Sequence, residues 1–502
     1  MAACSSTAKE GVRDGNRIPF LPYFMAQKRS RMPSFECVEF VFRKLVFSFV
    51  KKRERIQFDD IIIAFRRKGL DSMSFLTGPM HEHLNGHKDL TCDKEVLTLP
   101  EPDDLYVPLV NGRAECKPLV AAGDTVKAGQ KIGEPTSAFW YVPVFSPVSG
   151  TVVGVEKRMS SGLKPVDHLH IKNDHKQETV RAFAPFDWEK ATREELLNFV
   201  KEAGMAGLGG AGFPTFNKYT KVDGIDLLII NDVECEPYLT ADLANTRAHL
   251  DLLKVGVLAL QKLAGNPKTK VAIKAHWTKD VEALKKLFEG TTVEVAPMED
   301  LYPMGWERTL VYQLTGKRYD RLPAEAGCAL NNVSTAIALG NALVNGAPIT
   351  KKMVTVSGDA VKDPHNVLIT IGTPAAEAVK ACGGYTKDDC LIIAGGPMMG
   401  STVPNDQFVI GLSNNGLTVL ENKPLQEVKC LRCGKCTEVC PAGLEPVRIN
   451  FAEKTKNIED LKKLDVNSCI QCGLCSYICP SKIGVTEGVV RAKRYMALVT
   501  KK

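Results

Sequence analysis

The sequence predicts a multidomain protein of the α/β and α+β classes, and three observations support this. Its 502 residues, of which 44% are hydrophobic and 25% charged, suffice for three or four globular domains of ordinary size. Eight of its 16 cysteines lie in one C-terminal segment, in two repeats of one spacing. An apolar, β-branched run at residues 225–230 follows a segment of helical period, an alternation typical of α/β domains.

Composition also excludes several classes of protein. The hydrophobic and charged fractions do not match a disordered chain, a collagen or an integral membrane protein. No stretch approaches the ~18 apolar residues that a membrane-spanning helix needs. No secretory signal with a cleavage site is visible.

The net charge of +7 comes entirely from residues 1–72, a basic N-terminal extension with 15 Lys and Arg against 8 Asp and Glu. The remaining chain is balanced, so bulk charge does not indicate a nucleic-acid partner, and none is expected. Three interpretations of the extension stay open: an added or wrongly assigned N-terminus, a basic anchor at a membrane surface, or a small independent module. We favour the first.

The most specific pattern is a cysteine motif that occurs twice, first as Cys430-x-x-Cys433-x-x-Cys436-x-x-x-Cys440-Pro441. It recurs with the same spacing from Cys469 to Pro480. Three closely spaced thiolates bind three irons of one cubane, whereas the fourth lies too far along the chain and binds the other cluster. Zinc sites or free thiols are the alternative, but zinc prefers two separated pairs of ligands.

The motif therefore predicts two 4Fe–4S clusters in a reducing compartment. Each cluster takes three ligands from one repeat and one from the other. The first is assigned to Cys430, Cys433, Cys436 and Cys479, and the second to Cys469, Cys472, Cys475 and Cys440.

A glycine-rich run at residues 204–212 contains a formal G-x-G-x-x-G at Gly207, Gly209 and Gly212. The preceding segment is helical in period, with Thr192 as its N-cap, whereas a dinucleotide-binding fingerprint must follow a strand. This is therefore not the usual dinucleotide turn. Its backbone N–H groups suit a phosphate, but the run could equally be a surface loop.

Polar side chains follow the apolar run at residues 225–230, where the chain reads Asn231-Asp232-Val-Glu234-Cys235-Glu236-Pro237. The carboxyl ends of parallel strands are where α/β folds bind ligands. A capped turn with solvated acids is the alternative. Two further segments, one around Glu307 and the other running from Asn331 to Thr335, complete the candidate site, although the asparagine pair alone is typical of a helix cap.

The glycine loop, the acidic strand end and the Asn331-Asn332-Val-x-Thr335 segment together resemble the NADH- and FMN-binding flavoprotein subunit of respiratory complex I. With a Gly-Asp-x-Val-x-x-Gly-Gln segment before them and the cysteine repeats after, the order resembles the C-subunit (RnfC) of the Rnf electron-transport complex, over about residues 73–495. Leu208 and Cys235 stand where the complex I family has Arg and Ser, and Rnf-type proteins differ likewise.

The resemblance implies four domains after the extension. The segment at residues 134–143 lacks the lysine that carrier domains present, so the first domain is expected to dock or support rather than to carry a group. The four are a barrel-sandwich hybrid (residues 73–185), a Rossmann-like FMN- and NADH-binding α/β domain (186–350), a soluble-ligand-binding β-grasp domain (351–415) and a C-terminal, two-cluster ferredoxin-like α-helical domain (416–502).

The resemblance also implies residue roles, with no separate catalytic residue. The FMN phosphate and ribityl chain are wrapped by Gly207, Gly209, Gly210 and Gly212, and Lys218 neutralises phosphate charge. The ribityl chain and the isoalloxazine edge are held by Asn231, Asp232 and Glu234. The site is closed by Asn331, Asn332 and Thr335. Phe213 stacks on the adenine of NADH, Glu236 binds its ribose, and Glu307 occupies the position of a site glutamate.

The implied function is oxidation of NADH, or reduction of NAD, through FMN and two 4Fe–4S clusters in a membrane-associated ferredoxin:NAD oxidoreductase complex coupled to ion translocation. The chain would be peripheral at the cytoplasmic face of the cell membrane. Its partners would be the membrane-embedded subunits, NADH and, indirectly, ferredoxin. Two alternatives stay open: a soluble flavin and iron–sulfur reductase such as a cobalamin reductase, or a non-catalytic iron–sulfur adaptor whose glycine loop is vestigial.

Overall fold

The structure, a computed structural model, describes residues 84–500. The interpretations offered for residues 1–72 lie outside this range. Among the described residues, no helix combines the length and the apolar character needed to cross a bilayer.

The first domain consists of two four-stranded antiparallel sheets. Its core is formed by side chains that alternate inward along the strands, including the fully buried Leu105, Ile132 and Leu169. A short strand, β1 (Leu97–Thr98), precedes it and pairs elsewhere. The eight strands are β2 (Asp104–Pro108), β3 (Val110–Asn111), β4 (Ala114–Pro118), β5 (Thr125–Val126), β6 (Lys131–Pro135), β7 (Val144–Phe145), β8 (Gly150–Met159) and β9 (Pro165–Asn173).

The second domain has a parallel four-stranded sheet between helices. Its elements are α1 (Arg193–Glu202), β10 (Leu227–Asp232), α2 (Ala241–Ala248), α3 (Leu250–Leu263), β11 (Lys268–Lys274), α4 (Thr278–Leu287), β12 (Val293–Met298), α5 (Glu307–Thr315), β13 (Cys328–Asn332) and α6 (Val333–Asn345). The strand order is β12-β11-β10-β13, so the chain reverses its direction of winding between β10 and β13. That reversal opens a crevice at the carboxyl ends of these two strands.

Strand β10 is buried on both faces, which explains its uninterrupted apolar run. Leu228 and Ile230 pack into one core cluster, and Ile229 packs into another on the opposite face. The strand begins at Leu227 and continues through Asp232, two residues beyond the predicted end. The difference arises because pairing with β11 extends through Asp232, so polar residues complete the ladder.

Helices α3 and α6 approach closely because each has a glycine at the contact. A Cβ on Gly256 would overlap the carbonyl oxygen of Ala336, and a Cβ on Gly340 would overlap that of Leu252. The close approach fixes α6, whose N-terminus lies at the crevice.

The third domain is a mixed sheet around helix α7 (Ala375–Ala381). Its strands are β14 (Lys351–Ser357), β15 (His365–Thr370), β16 (Cys390–Ala394), β17 (Ser401–Val403) and β18 (Gly416–Glu421), and the sheet order is β1-β15-β14-β18-β16-β17. The sequence-based ranges placed β1 and β18 in neighbouring domains, which is wrong for both strands. They belong to this sheet because β1 covers the open edge of β15 and β18 fills the gap between β14 and β16.

The fourth domain is helical, and each of its two cysteine motifs includes a short helix that follows a glycine. Its helices are α8 (Lys435–Glu438), α9 (Pro446–Lys454), α10 (Ile458–Lys463), α11 (Leu474–Tyr477) and α12 (Val485–Val499). The two short helices that carry cysteines begin after Gly434 and Gly473, both at φ 81°. Glycine is required there because this left-handed conformation disfavours other side chains.

We expect Gly256→Ala to lower stability, although alanine normally stabilises a helix interior by about 0.5–1 kcal/mol over glycine. The added methyl would overlap Ala336, at an overpacking cost of about 1–3 kcal/mol. Thermal unfolding of the variant should show a lower midpoint than the parent chain. Gly162→Ala, at a position with ordinary contacts, is the matched control, and equal midpoints for both variants would contradict this account.

Candidate functional site

The glycine loop, residues 204–214, is fixed at its base by helix α6. The N–H of Gly207 donates to the carbonyl of Phe213 (2.9 Å) and closes the loop. The Thr335 hydroxyl accepts from the N–H of Leu208 (3.0 Å) and donates to the carbonyl that precedes Gly207 (3.1 Å). The tip of the loop is exposed, and open space surrounds the position of a Cβ on Gly210 or Gly212.

The loop passes directly over the end of β13. A Cβ on Gly209 would lie 2.5 Å from Nδ2 of Asn332, so no larger residue fits there. Asn332 itself is held firmly, because its Oδ1 accepts from the N–H of Ser334 (2.9 Å) and its Nδ2 donates to Asp242 (2.7 Å). Asn332 therefore caps α6, as its sequence pattern suggests, and also limits the approach of the loop.

The polar residues after β10 and β13 meet at the crevice. The two strands pair in parallel with Asn231 opposite Asn332. Asn231 donates to the carbonyl of Gly305 (2.8 Å), and Asn331 donates to the hydroxyl of Tyr219. Side-chain amides thus join residue 231 to residue 305 and residue 331 to residue 219.

Two buried carboxylates in the crevice each have an oxygen without a partner among the described residues. Asp232 accepts from the Thr246 hydroxyl (3.0 Å) through Oδ2, but its Oδ1 has no partner. Oε1 of Glu234 is also unpartnered. Burial, reinforced by the charge of Asp242, raises the pKa of Asp232 well above its ordinary value and that of Glu234 to about 8.

These residues fit an FMN. Its ribityl hydroxyls and its ring N–H are the donors that the unpartnered oxygens of Asp232 and Glu234 lack. The exposed glycine tip offers room and backbone for a phosphate. Gly207, Gly209, Gly210 and Gly212 all belong to this loop, and their contact with FMN stays a prediction.

Lys218 and Glu307 are both partly buried and have hydrogen-bond partners within the second domain. Nζ of Lys218 donates to the carbonyl of Leu330 (2.6 Å), and Glu307 accepts from the hydroxyl of Tyr319 (2.8 Å). Burial lowers the pKa of Lys218, an effect that Glu307 opposes. Their roles at phosphate and flavin are not tested by these contacts.

Phe213 belongs to an exposed aromatic cluster at the loop. Its ring meets Trp140 edge-on at 5.5 Å and Phe139 edge-on at 6.0 Å. Phe139 is 54% exposed. The segment at residues 134–143, which lacks the lysine of a carrier domain, thus contributes aromatic surface beside the loop, and this surface suits a stacked base.

Glu236 contacts the third domain. Its Oε1 accepts from the N–H groups of Met398 (2.7 Å) and Met399 (2.9 Å). A Cβ on Gly396 would overlap the Glu236 side chain, so the turn of that domain closes tightly on the carboxylate. The ribose contact expected for Glu236 stays a prediction, and this oxygen already has two donors.

Two buried lysines at the site escape sequence reasoning. Nζ of Lys352, on β14, donates to the carbonyls of Leu208 (2.6 Å) and Leu412, and burial lowers its pKa to about 7. Nζ of Lys88 donates to the carbonyls of Glu236 (3.0 Å) and Leu239, and burial lowers its pKa to about 8. The sequence gives only a weak indication of the role of Lys352, which is a lysine at the start of an otherwise apolar strand. No sequence pattern indicates the role of Lys88.

Asp242 is the third residue that the sequence does not reveal. Its Oδ1 accepts from the Ser334 hydroxyl (2.6 Å), and its Oδ2 accepts from Asn332 (2.7 Å). It is buried on α2, and its N–H donates to Oε2 of Glu234 (3.3 Å), so it joins Asn332 to the acidic segment after β10. Its sequence neighbourhood is that of an ordinary helix start, so only the fold identifies it.

Four cysteines from both repeats line one cavity, as the predicted exchange of ligands requires. They are Cys440, Cys469, Cys472 and Cys475. We call their site the inner cluster site. Backbone N–H groups donate to two of the sulfurs, from Leu444 to Cys440 (3.3 Å) and from Gln471 to Cys469 (3.4 Å).

Burial raises the pKa of Cys472 and that of Cys475 to about 12. These thiols deprotonate only when bound iron compensates their charge. Within residues 84–500, no three His, Cys, Asp or Glu side chains are close enough together for a single metal ion. A cubane places each thiolate on a different iron, so the donor set suits a cluster better than one ion.

The other four cysteines form the outer cluster site, named for its exposure. Cys430 and Cys433 are exposed, and Cys436 and Cys479 are partly buried. The N–H of Arg432 donates to the sulfur of Cys430 (3.4 Å), which repeats the contact at Cys469. No contact in the described structure joins all four, and their common cluster stays a prediction.

Comparison with known proteins covers each domain. Family models match at residues 80–176 (RnfC barrel sandwich hybrid domain), 200–341 (Nuo51 FMN-binding domain), 353–402 (SLBB domain) and 429–483 (4Fe-4S dicluster domain). The C-subunit of the proton-translocating ferredoxin:NAD(+) oxidoreductase complex of Clostridium ljungdahlii is 34% identical over 390 residues, 76% of this chain and 85% of the relative. This chain belongs to the RnfC family.

Two other members of the family give similar values. The C-subunit of the Na(+)-translocating ferredoxin:NAD(+) oxidoreductase complex of Acetobacterium woodii is 33% identical over 359 residues, 70% of this chain and 81% of the relative. The C-subunit of the ion-translocating oxidoreductase complex of Rhodobacter capsulatus is 34% identical over 398 residues, 76% of each chain. Among solved structures, a chain of an NAD+-reducing NiFe hydrogenase matches with 18% identity and a TM-score of 0.45 over 63% of each chain, too low to bear on function.

These matches confirm the predicted family, the four-part fold class and the cofactor classes. The RnfC chain has an FMN-binding domain and a domain for two 4Fe–4S clusters. The matched ranges all fall within the predicted domains, whose outer boundaries stay predictions. The individual ligand residues also stay predictions.

We expect Lys352→Met to destabilise the chain, and more so at pH 9 than at pH 7. The loss of the donor leaves two carbonyls unpaired, at a cost of about 1–3 kcal/mol. The unfolded chain keeps the lysine proton up to about pH 10.5, whereas the folded chain releases it near pH 7. Between these pH values the unfolded state binds more protons than the folded state. The free energy of unfolding of the parent therefore rises by up to about 1.4 kcal/mol per pH unit through Lys352, and the variant lacks this rise.

Melting temperatures at pH 7 and pH 9 test this expectation. Lys351→Met is the control, because Lys351 is half-exposed and pairs with Glu101 at 3.1 Å. A deficit of Lys352→Met that stays constant or shrinks with rising pH would contradict the assignment.

Proposed function

We propose that this chain is the electron-transfer subunit that oxidises NADH, or reduces NAD, in a membrane-associated ferredoxin:NAD oxidoreductase complex coupled to ion translocation. Its relatives carry that activity in their names. We place it peripherally at the cytoplasmic face of the membrane, in contact with membrane-embedded subunits and, through them, with ferredoxin. FMN, when bound, would interconvert the paired electrons of a hydride and the single electrons that clusters carry.

One observation carries the proposal: the inner cluster site packs directly against the end of the flavin crevice. Cys472 lies in one apolar cluster with Tyr302 and Leu474, and Cys235 packs against it. Cys235 follows Glu234 in the chain, so residues of the crevice and of the relay are neighbours. A pocket that handles electron pairs thus adjoins a site that passes them singly.

Exposure gives the relay an order. Cys472 is buried beside the crevice, whereas Cys430 and Cys433 are exposed. The inner cluster would exchange electrons with the flavin, and the outer cluster with a partner protein. Solvent exposure raises the polarity around a cluster, so the two should also differ in potential.

NADH-dependent bleaching of bound flavin in the isolated, iron-reconstituted chain tests the enzyme against the adaptor. Cys472→Ala should remove one cluster signal in electron paramagnetic resonance and leave flavin bleaching intact, because all the predicted flavin ligands belong to the second domain. Cys390→Ala, a free cysteine in the third domain, should keep both signals.

A chain that retains no FMN after gentle purification would favour the adaptor. Loss of bleaching together with the cluster signal in Cys472→Ala would contradict a modular relay. Co-purification with hydrophobic subunits separates the complex from a soluble reductase.

We expect Phe213→Ala to weaken NADH binding while FMN content stays unchanged. An aromatic stack contributes about 0.5–1.5 kcal/mol, which is about a two- to tenfold increase in the dissociation constant. Titration of NADH against flavin absorbance measures it. Phe451→Ala removes a 69% exposed phenylalanine on α9 and should leave the constant unchanged. Equal constants for Phe213→Ala and the parent would remove Phe213 from the nucleotide site.

A further inference from the structure

A buried tyrosine connects the two halves of the proposed relay. Tyr302, in the loop between β12 and α5, is 2% exposed. Its hydroxyl donates to the backbone carbonyl of Cys472 at 2.7 Å. Tyr302 comes from the flavin domain and Cys472 from the fourth domain, so this hydrogen bond crosses the boundary that electrons must cross.

The tyrosine hydroxyl is also close to a carboxylate of the crevice. Glu236, which accepts from the N–H groups of Met398 and Met399, lies near this hydroxyl, whose one proton is donated to the Cys472 carbonyl. The third domain further closes this region, because a Cβ on Gly473 would lie 2.7 Å from the carbonyl oxygen of Met398. The loop from Cys472 to Gly473 is therefore held from two sides by groups outside its own domain.

We propose that Tyr302 is a positioning residue that sets the reduction potential of the inner cluster. It acts through the ligand loop of the cluster. Its hydroxyl dipole points its positive end at the peptide group of a cluster ligand. A donor so placed stabilises the more negative, reduced cluster, and it fixes the orientation of the ligand. The inference rests on the proposed function only in assigning a cluster to Cys440, Cys469, Cys472 and Cys475.

The test varies the strength of one hydrogen bond in the full, iron-reconstituted chain. Tyr302→Phe keeps the ring and removes the donor. Replacement of Tyr302 by 3-fluorotyrosine keeps the hydroxyl and strengthens it as a donor. Tyr477→Phe, at a 53% exposed tyrosine of the same domain as the cluster, is the matched control.

The readout is a mediated redox titration followed by electron paramagnetic resonance, with a chemical reductant in place of NADH. The inner cluster is assigned as the signal that persists in Cys433→Ala. We expect Tyr302→Phe to lower the inner-cluster potential, so that the ratio of reduced to oxidised cluster at a fixed solution potential falls about two- to tenfold. The 3-fluorotyrosine variant should raise that ratio, and Tyr477→Phe should leave it unchanged.

Midpoints equal to the parent's in both Tyr302 variants, or shifts in the same direction, would overturn the proposal. If Tyr302→Phe assembles no inner cluster, the fluorotyrosine variant decides alone: a raised ratio supports the role, and an unchanged or lowered one refutes it. The titration needs neither NADH nor bound FMN. A chain that fails to oxidise NADH would therefore refute the proposed function without deciding this question.

Discussion

The parallel pairing of β10 with β13 is the constraint on which the functional architecture depends. It places Asn231 opposite Asn332 at the one point where the sheet reverses its winding. The asparagines and the buried acids of the crevice lie at or just after the ends of these two strands, and Asp242 on α2 and Lys352 on β14 complete the set from neighbouring elements. The glycine loop has its own closing hydrogen bond, and α6 holds it in position through Thr335. Without this register, the same residues would be unrelated surface groups.

Buried charge makes the domains dependent on one another. The acids of the crevice belong to the flavin domain, whereas Lys352 comes from the β-grasp sheet and Lys88 from the segment before the first domain. Lys352 donates to the carbonyl of Leu208, so the β-grasp sheet supports the glycine loop directly. Removal of one charged residue from such a buried set leaves the charges of the others uncompensated. We therefore expect the described domains to behave as a unit around the crevice.

The cysteine spacing alone was sufficient to predict two clusters, because thiolate geometry constrains the chain locally, whereas the exchange of the fourth ligand stays a prediction. The position of the crevice at a strand end could also be predicted, because the apolar run of β10 indicates a buried strand and polar residues follow it. Lys88 and Asp242 could not be found, because their roles arise from contacts across about 150 and 90 residues of chain. The assignment of β18 failed for a similar reason: a strand's partners depend on topology rather than on its own pattern.

The unequal burial of the two sets of cysteines determines which set is more exposed to oxidative damage. Oxygen and peroxide reach an exposed cubane far more readily than one enclosed by protein, so oxidative loss of iron would begin at the predicted outer cluster, whose proposed ligands Cys430 and Cys433 are exposed. A chain damaged in this way would still accept electrons from the flavin end but could no longer deliver them. Injury by air would thus disconnect the protein from its redox partner before it disabled the nucleotide pocket.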